Sequence, residues 1–164
     1  MADAVRAVTT ELFLVSNVPG ASAWLADAPA IPDVRSERSS LTGIHTALVH
    51  ASAPVLVVAW DMPFLSAELL HLIVDAGTRA RYAAVPEGPA GDEPMCAVYH
   101  PAALTVVDAA LDANDFKLTN LIARLPAVER IPRDAIARLG DPERFFFNVN
   151  DVQNLEMAQR MAEA

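Results

Sequence analysis

Several things are scarce in this chain, and each scarcity removes a class of protein. There is one cysteine, Cys96, so no internal disulfide framework can form, and the usage fits a reducing compartment. There is one lysine, Lys117, and the formal net charge is −9. With no basic stripe to displace counterions, a nucleic-acid backbone is not an expected partner. Apolar runs are short of the roughly 20 residues a membrane helix needs. The opening stretch MADAVRAVTTELFLVS carries acidic residues and no apolar h-region, which predicts no secretory signal and a cytoplasmic location. Glycine-rich phosphate loops, a nucleophile elbow, paired cysteines and an H-E-x-x-H helix are all lacking.

What is present is apolar and evenly spread. Hydrophobic residues make up 53% of the 164 and charged residues 20%, a globular balance with enough length for one domain, 1–164, with a sizeable core. Short apolar runs alternate with helix-spaced segments. ELFLVS (11–16), the run from Pro54 to Asp61, RYAAVPE (81–87), MCAVYH (95–100), VERIP (128–132) and FFFNVN (145–150) read as strands. ASAWLADA (21–28), about 42–50, a segment begun by Ser66 as N-cap and stopped at Gly77, 101–111, 116–125, PRDAIARL (132–139) and DVQNLEMAQRM (151–161) read as helices. IPDV (31–34) is a brief extended piece, and GPAGDEP (88–94) a loop. The alternation predicts a layered α/β fold with a mostly parallel sheet.

Two features point to chemistry. The run VLVVAW reads as a strand buried on both faces, yet it ends on Asp61, where open α/β sheets place their ligands. Asn148 and Asn150 flank Val149 at the end of the last expected strand. Residues two apart on a strand share a side, so both amides would face one pocket. A carboxylate with amide oxygens is hard oxygen chemistry, suited to Mg²⁺ on a substrate's phosphates. The plainer alternative is that Asp61 caps a turn and the asparagines close a strand. The four histidines are scattered without ligand spacing, and Cys96 reads as a small buried hydrophobe.

Taken together, SSLTGIHTALVHASAPVLVVAWDMPFLS (39–66), EPMCAVYHPAAL (93–104) and FFFNVNDVQNL (145–155) resemble the molybdenum cofactor guanylyltransferases. The D-M-P-F and N-V-N elements occur in the family's order and separation, and the resemblance runs from about residue 10 to the end. It implies a three-layer Rossmann-like nucleotidyltransferase fold, and transfer of GMP from GTP to the molybdopterin cofactor with release of pyrophosphate. Under it, Asp61 would be the catalytic, metal-holding and nucleotide-binding carboxylate. Asp33 and Gly43 would serve the nucleotide, and Glu93, Pro94, Asn148 and Asn150 the pterin side. Mg²⁺ would be the cofactor, GTP and molybdopterin the small-molecule partners, and molybdoenzymes or other cofactor-biosynthesis proteins the possible macromolecular ones. A related cytidylyl transferase and a non-catalytic pterin-binding relative are the alternatives.

The family's first strand and Gly-rich loop have no counterpart in residues 1–10, which hold neither glycine nor lysine, and Ser39 and Ser40 stand where a Gly-Pro pair is usual. The resemblance places that strand between the strands matching 11–16 and 54–60. The expectation is therefore a shortened protein of weak or absent activity, or a homodimer that repairs the sheet in place of a monomer.

Overall fold

The computed structural model describes residues 1–25 and 27–163. The five-stranded sheet at its centre is built from β3 (Val55–Val58), β6 (Cys96–Tyr99), β4 (Ala83–Gly88), β7 (Val128–Ile131) and the short β5 (Gly91–Asp92), with β1 (Leu14–Val15) and β2 (Ala30–Ile31) forming a separate parallel pair. β6 runs antiparallel to both β3 and β4, while β7 pairs with β4 in parallel. The sheet is thus mixed rather than mostly parallel. Its direction reverses because β5 turns back on β4 as a hairpin, Gly88 opposite Gly91, so GPAGDEP is a paired turn and not a loop.

Helices cover both faces, and strand alternation sorts the core between them. On β6, Cys96 and Val98 face one layer with α3 (Ala67–Arg79), α6 (Arg133–Ala137) and α7 (Pro142–Phe145), joined by Val5 of α1 (Ala2–Arg6). Ala97 and Tyr99 face the other, against α2 (Ser40–His50), α4 (Leu104–Asp112) and α5 (Leu118–Arg124). Ser66 caps α3 as its sequence predicts, accepting from Leu69 N–H at 3.2 Å. The helix ends at Arg79, two residues past Gly77. Ser39 caps α2, accepting from Thr42 N–H at 3.1 Å. No helix among the described residues is long and apolar enough to cross a membrane.

Three further expectations fail for physical reasons. The stretch 145–150 is not a strand. Asp141 accepts from Glu143 N–H at 3.0 Å and Pro142 fills the first helical position, so the chain enters a short helix and then runs irregularly through 147–150. Residues 21–28 hold only a 3₁₀ turn, Ala21–Ala23, after Gly20 at φ +81°, and Ala26 lies outside the described residues. β3 is half-buried rather than buried, because it pairs only with β6 among the described residues. The final helix, α8 (Val152–Glu163), forms where expected.

Candidate functional site

Asp61 follows β3 in a turn whose neighbours Met62 and Leu65 are buried in the core. Burying those two apolar side chains fixes the turn, and with it the carboxylate. One oxygen, Asp61 Oδ1, is shielded from solvent yet accepts no hydrogen bond from the protein. An unpartnered buried carboxylate oxygen is costly, so such an atom needs a cation or a donor from outside the chain.

The backbone of Asp61 reaches the second candidate segment directly. Val149 N–H donates to the Asp61 carbonyl at 2.9 Å. This bond holds Asn148 and Asn150 beside the turn without any strand to align them. Both asparagines, with Asp61, Gly43, Glu93 and Pro94, line one open cleft of about 1170 Å³. Phe64 and Phe147 pack at 6.4 Å between centroids, and the Arg144 guanidinium sits 4.9 Å from the Phe64 ring, tying the same two segments together.

Glu93 folds back over Gly88. A Cβ on Gly88 would fall 2.1 Å from Glu93 Oε1, so a larger residue there would displace the Glu93 side chain. Burial pushes the Glu93 carboxyl up to about 7. Pro94 is anchored by Tyr99, whose hydroxyl donates to its carbonyl at 2.8 Å; burial pushes that phenol up, keeping it a donor. Gly43 lies in the first turns of α2, and nothing stands within 4 Å of where its Cβ would be. Its backbone is open to the cleft.

Asp33 is placed elsewhere. It accepts from Asn17 Nδ2 at 2.6 Å, while its own N–H donates to Asn17 Oδ1 at 2.9 Å, and Thr46 Oγ1 donates to its other oxygen at 3.3 Å. This clasp pins the loops after β1 and β2 to α2, and Asp33 does not line the Asp61 cleft. Asn17, just after β1 and outside every candidate motif, is half of the clasp. Three of the four histidines serve structure: His45 Nε2 pairs with Asp108 at 3.0 Å, His50 donates to the Thr46 carbonyl at 2.9 Å and His100 to the Gly77 carbonyl at 2.8 Å. Cys96 is buried in β6 and its thiol is pushed up by burial, as for an inert core residue.

Among the described residues no cluster of three or more His, Cys, Asp and Glu side chains could hold a metal by itself. A hard divalent cation does not require one. Mg²⁺ is commonly held by one or two carboxylates plus the substrate's own phosphates. The unpartnered Oδ1 of Asp61, a residue that lines one cleft with Asn148 and Asn150, fits that arrangement.

The solved structures similar to this chain share this fold. Molybdopterin-guanine dinucleotide biosynthesis protein A from Archaeoglobus fulgidus superposes with a TM-score of 0.77 and 27% identity, covering 91% of this chain and 77% of that one. A 2-C-methyl-D-erythritol 4-phosphate cytidylyltransferase from Thermus thermophilus, at 18% identity and TM-score 0.68 over 99% and 86% of the two chains, has the same fold. The architecture is therefore the α/β nucleotidyltransferase fold. The profile of the MobA-like NTP transferase domain matches residues 1–129, and the chain belongs to that family.

A probable molybdenum cofactor guanylyltransferase of Pelotomaculum thermopropionicum is 34% identical over 134 residues, 81% of this chain and 64% of the relative. The molybdenum cofactor guanylyltransferase of Desulfosudis oleivorans is 30% identical over 168 residues, 99% and 80% of the two chains. The match thus spans a little under two thirds of the Pelotomaculum relative and about four fifths of the Desulfosudis one.

Proposed function

We propose that the chain acts in the molybdenum cofactor guanylyltransferase reaction, with Asp61 at its centre. A terminal phosphate oxygen of the molybdopterin cofactor attacks the α-phosphorus of GTP. The bond from that phosphorus to the α,β-bridging oxygen breaks, and pyrophosphate leaves with the electron pair. Such a transfer asks the protein for position and charge balance rather than a covalent nucleophile.

The observation that carries this reading is the buried, unpartnered Oδ1 of Asp61, a residue that lines a cleft together with Asn148, Asn150 and Glu93. Asp61 would hold Mg²⁺, which when bound neutralises charge on the nucleotide phosphates. Gly43 lets the α2 backbone come close to the nucleotide, with Asp33 orienting the adjoining loop through its clasp. Asn148, Asn150, Glu93 and Pro94 form the wall offered to the pterin cofactor. The reaction belongs to the cytoplasm, where its product passes on to molybdoenzymes.

Calorimetric titration of the chain with GTP and with CTP, each with and without Mg²⁺, tests the reading. Magnesium-dependent GTP binding that Asp61→Ala abolishes supports it. Preference for CTP, or binding indifferent to both Mg²⁺ and Asp61→Ala, overturns it.

A further inference from the structure

The backbone of Glu93 is fixed from both sides. Its N–H donates to the Pro86 carbonyl of β4 at 2.9 Å, and its own carbonyl accepts from Cys96 N–H of β6 at 3.1 Å. The side chain lies over buried Gly88, in the space that a side chain on β4 would otherwise fill. The neighbouring charges are already engaged with each other, since Arg130 donates to both oxygens of Asp92 at 3.1 Å. Among the described residues no group pairs with the Glu93 carboxyl, and burial alone accounts for its raised proton affinity.

A half-buried carboxylate without a donor is disfavoured, and a ligand that brings donors relieves it. Ionised, the group only accepts, offering two oxygens side by side. Its complement is an edge with two donors side by side, a ring N–H next to an exocyclic NH₂. The 2-amino-4-oxopyrimidine ring presents that edge, and a pterin and guanine both contain it. Position favours the pterin. Glu93 lines the cleft beside Pro94, on the β6 side, whereas Gly43 belongs to α2.

We propose that the Glu93 carboxylate accepts from the ring N–H and the 2-amino group of the pterin, and so determines specificity for that ring. The inference rests on the transferase reading of the cleft and adds the group within it that selects a pterin over its dioxo analogue. A ligand with a carbonyl in place of the amino group would set an oxygen against the carboxylate. The lost bond and the repulsion both count against it. Gly88 has a part in this selection, because the space above it is where the carboxyl rests.

The test titrates the full 164-residue chain by calorimetry just above neutral pH, where a carboxyl held up to about 7 is mostly ionised. The probes are 6-hydroxymethylpterin and 6-hydroxymethyllumazine, which differ only in that a carbonyl replaces the 2-amino donor. The wild type should prefer the pterin by about tenfold or more. Glu93→Gln should turn the preference toward the lumazine, since an amide offers one acceptor and one donor to an edge with one of each. A merely structural role for Glu93 would not produce that reversal. Gly88→Ala displaces the carboxyl without removing it, and should erase the preference. A wild type that binds both probes equally, or a Glu93→Gln chain that keeps the wild-type preference, overturns the proposal. So does a loss of GTP-over-ITP preference in Glu93→Gln, because ITP lacks the same amino group and the carboxylate would then belong to guanine. Failure of the transferase reading shows separately, as no magnesium-dependent GTP binding by the wild type.

Discussion

Val149 N–H donates to the Asp61 carbonyl at 2.9 Å, joining the turn after β3 to the segment before α8 across 88 positions of sequence. The asparagines on either side of Val149 take their place in the cleft from this one bond. Replacing Val149 with proline removes the donor. We expect a stability loss of about 1–3 kcal/mol in chemical denaturation, from the stranded carbonyl and the proline ring. Magnesium-dependent nucleotide affinity should fall at least tenfold in the same variant. Full affinity in a folded Val149→Pro protein would show that this bond does not position Asp61 for the nucleotide.

Gly43 offers a cleaner dissection. A methyl group there meets nothing within 4 Å, and alanine suits a helix better than glycine by roughly 0.5–1 kcal/mol. Gly43→Ala should therefore raise the melting temperature slightly while weakening GTP binding, because the methyl occupies space the nucleotide would approach. A stabilised variant with unaltered GTP affinity would remove Gly43 from the nucleotide site.

Glu93 should leave a signature in the pH dependence of stability. Folded, it holds its proton up to about 7; unfolded, it releases it near the ordinary 4.5. Between those values the folded chain binds the extra proton, so stability is highest below the unfolded value and falls as pH rises toward 7. Allowing for its partial exposure, the fall should be about 1–2 kcal/mol. The wild type minus Glu93→Gln difference in unfolding free energy, followed from pH 4 to 8, should show that slope. A difference that stays flat would mean the carboxyl is solvated.

The Asp33 clasp predicts a mainly structural loss. Asp33→Ala strands Asn17 Nδ2 and the buried Thr46 hydroxyl, and should cost about 1–2 kcal/mol. Asn17→Ala should cost a similar amount, and the double variant much less than the sum, since the two share one interaction. Additive losses in that cycle would show that the clasp does not couple them.

What could be read from the sequence was what short-range chemistry dictates. Ser66 before an amphipathic run announces its helix, and the apolar run before Asp61 announces the strand that ends there. Strand direction was not legible, because apolar alternation is the same for parallel and antiparallel neighbours; only the Gly88–Gly91 hairpin reverses β6. Phe145 to Phe147 misled for a related reason. Aromatic residues favour strands, but Asp141-Pro142 starts a helix just ahead of them, and that capping signal outweighs propensity. α1 went unread because five residues give too little periodicity. The Asp61–Val149 bond joins segments too distant in sequence for any local pattern to register.

The β1–β2 pair shares two residue positions with itself and none with the larger sheet. Its tie to the remainder runs through side chains on α2, the Asn17–Asp33–Thr46 contacts, the Trp24–Trp60 stack and the Arg6–Asp27 pair. Unfolding of this protein therefore has a natural fault line. Residues from about 9 to 34 can detach as a unit while the five-stranded sheet stays intact, and limited proteolysis would cut first at their turns. Whatever spans that fault turns two folding units into one, and loss of cooperativity is how its removal would be felt.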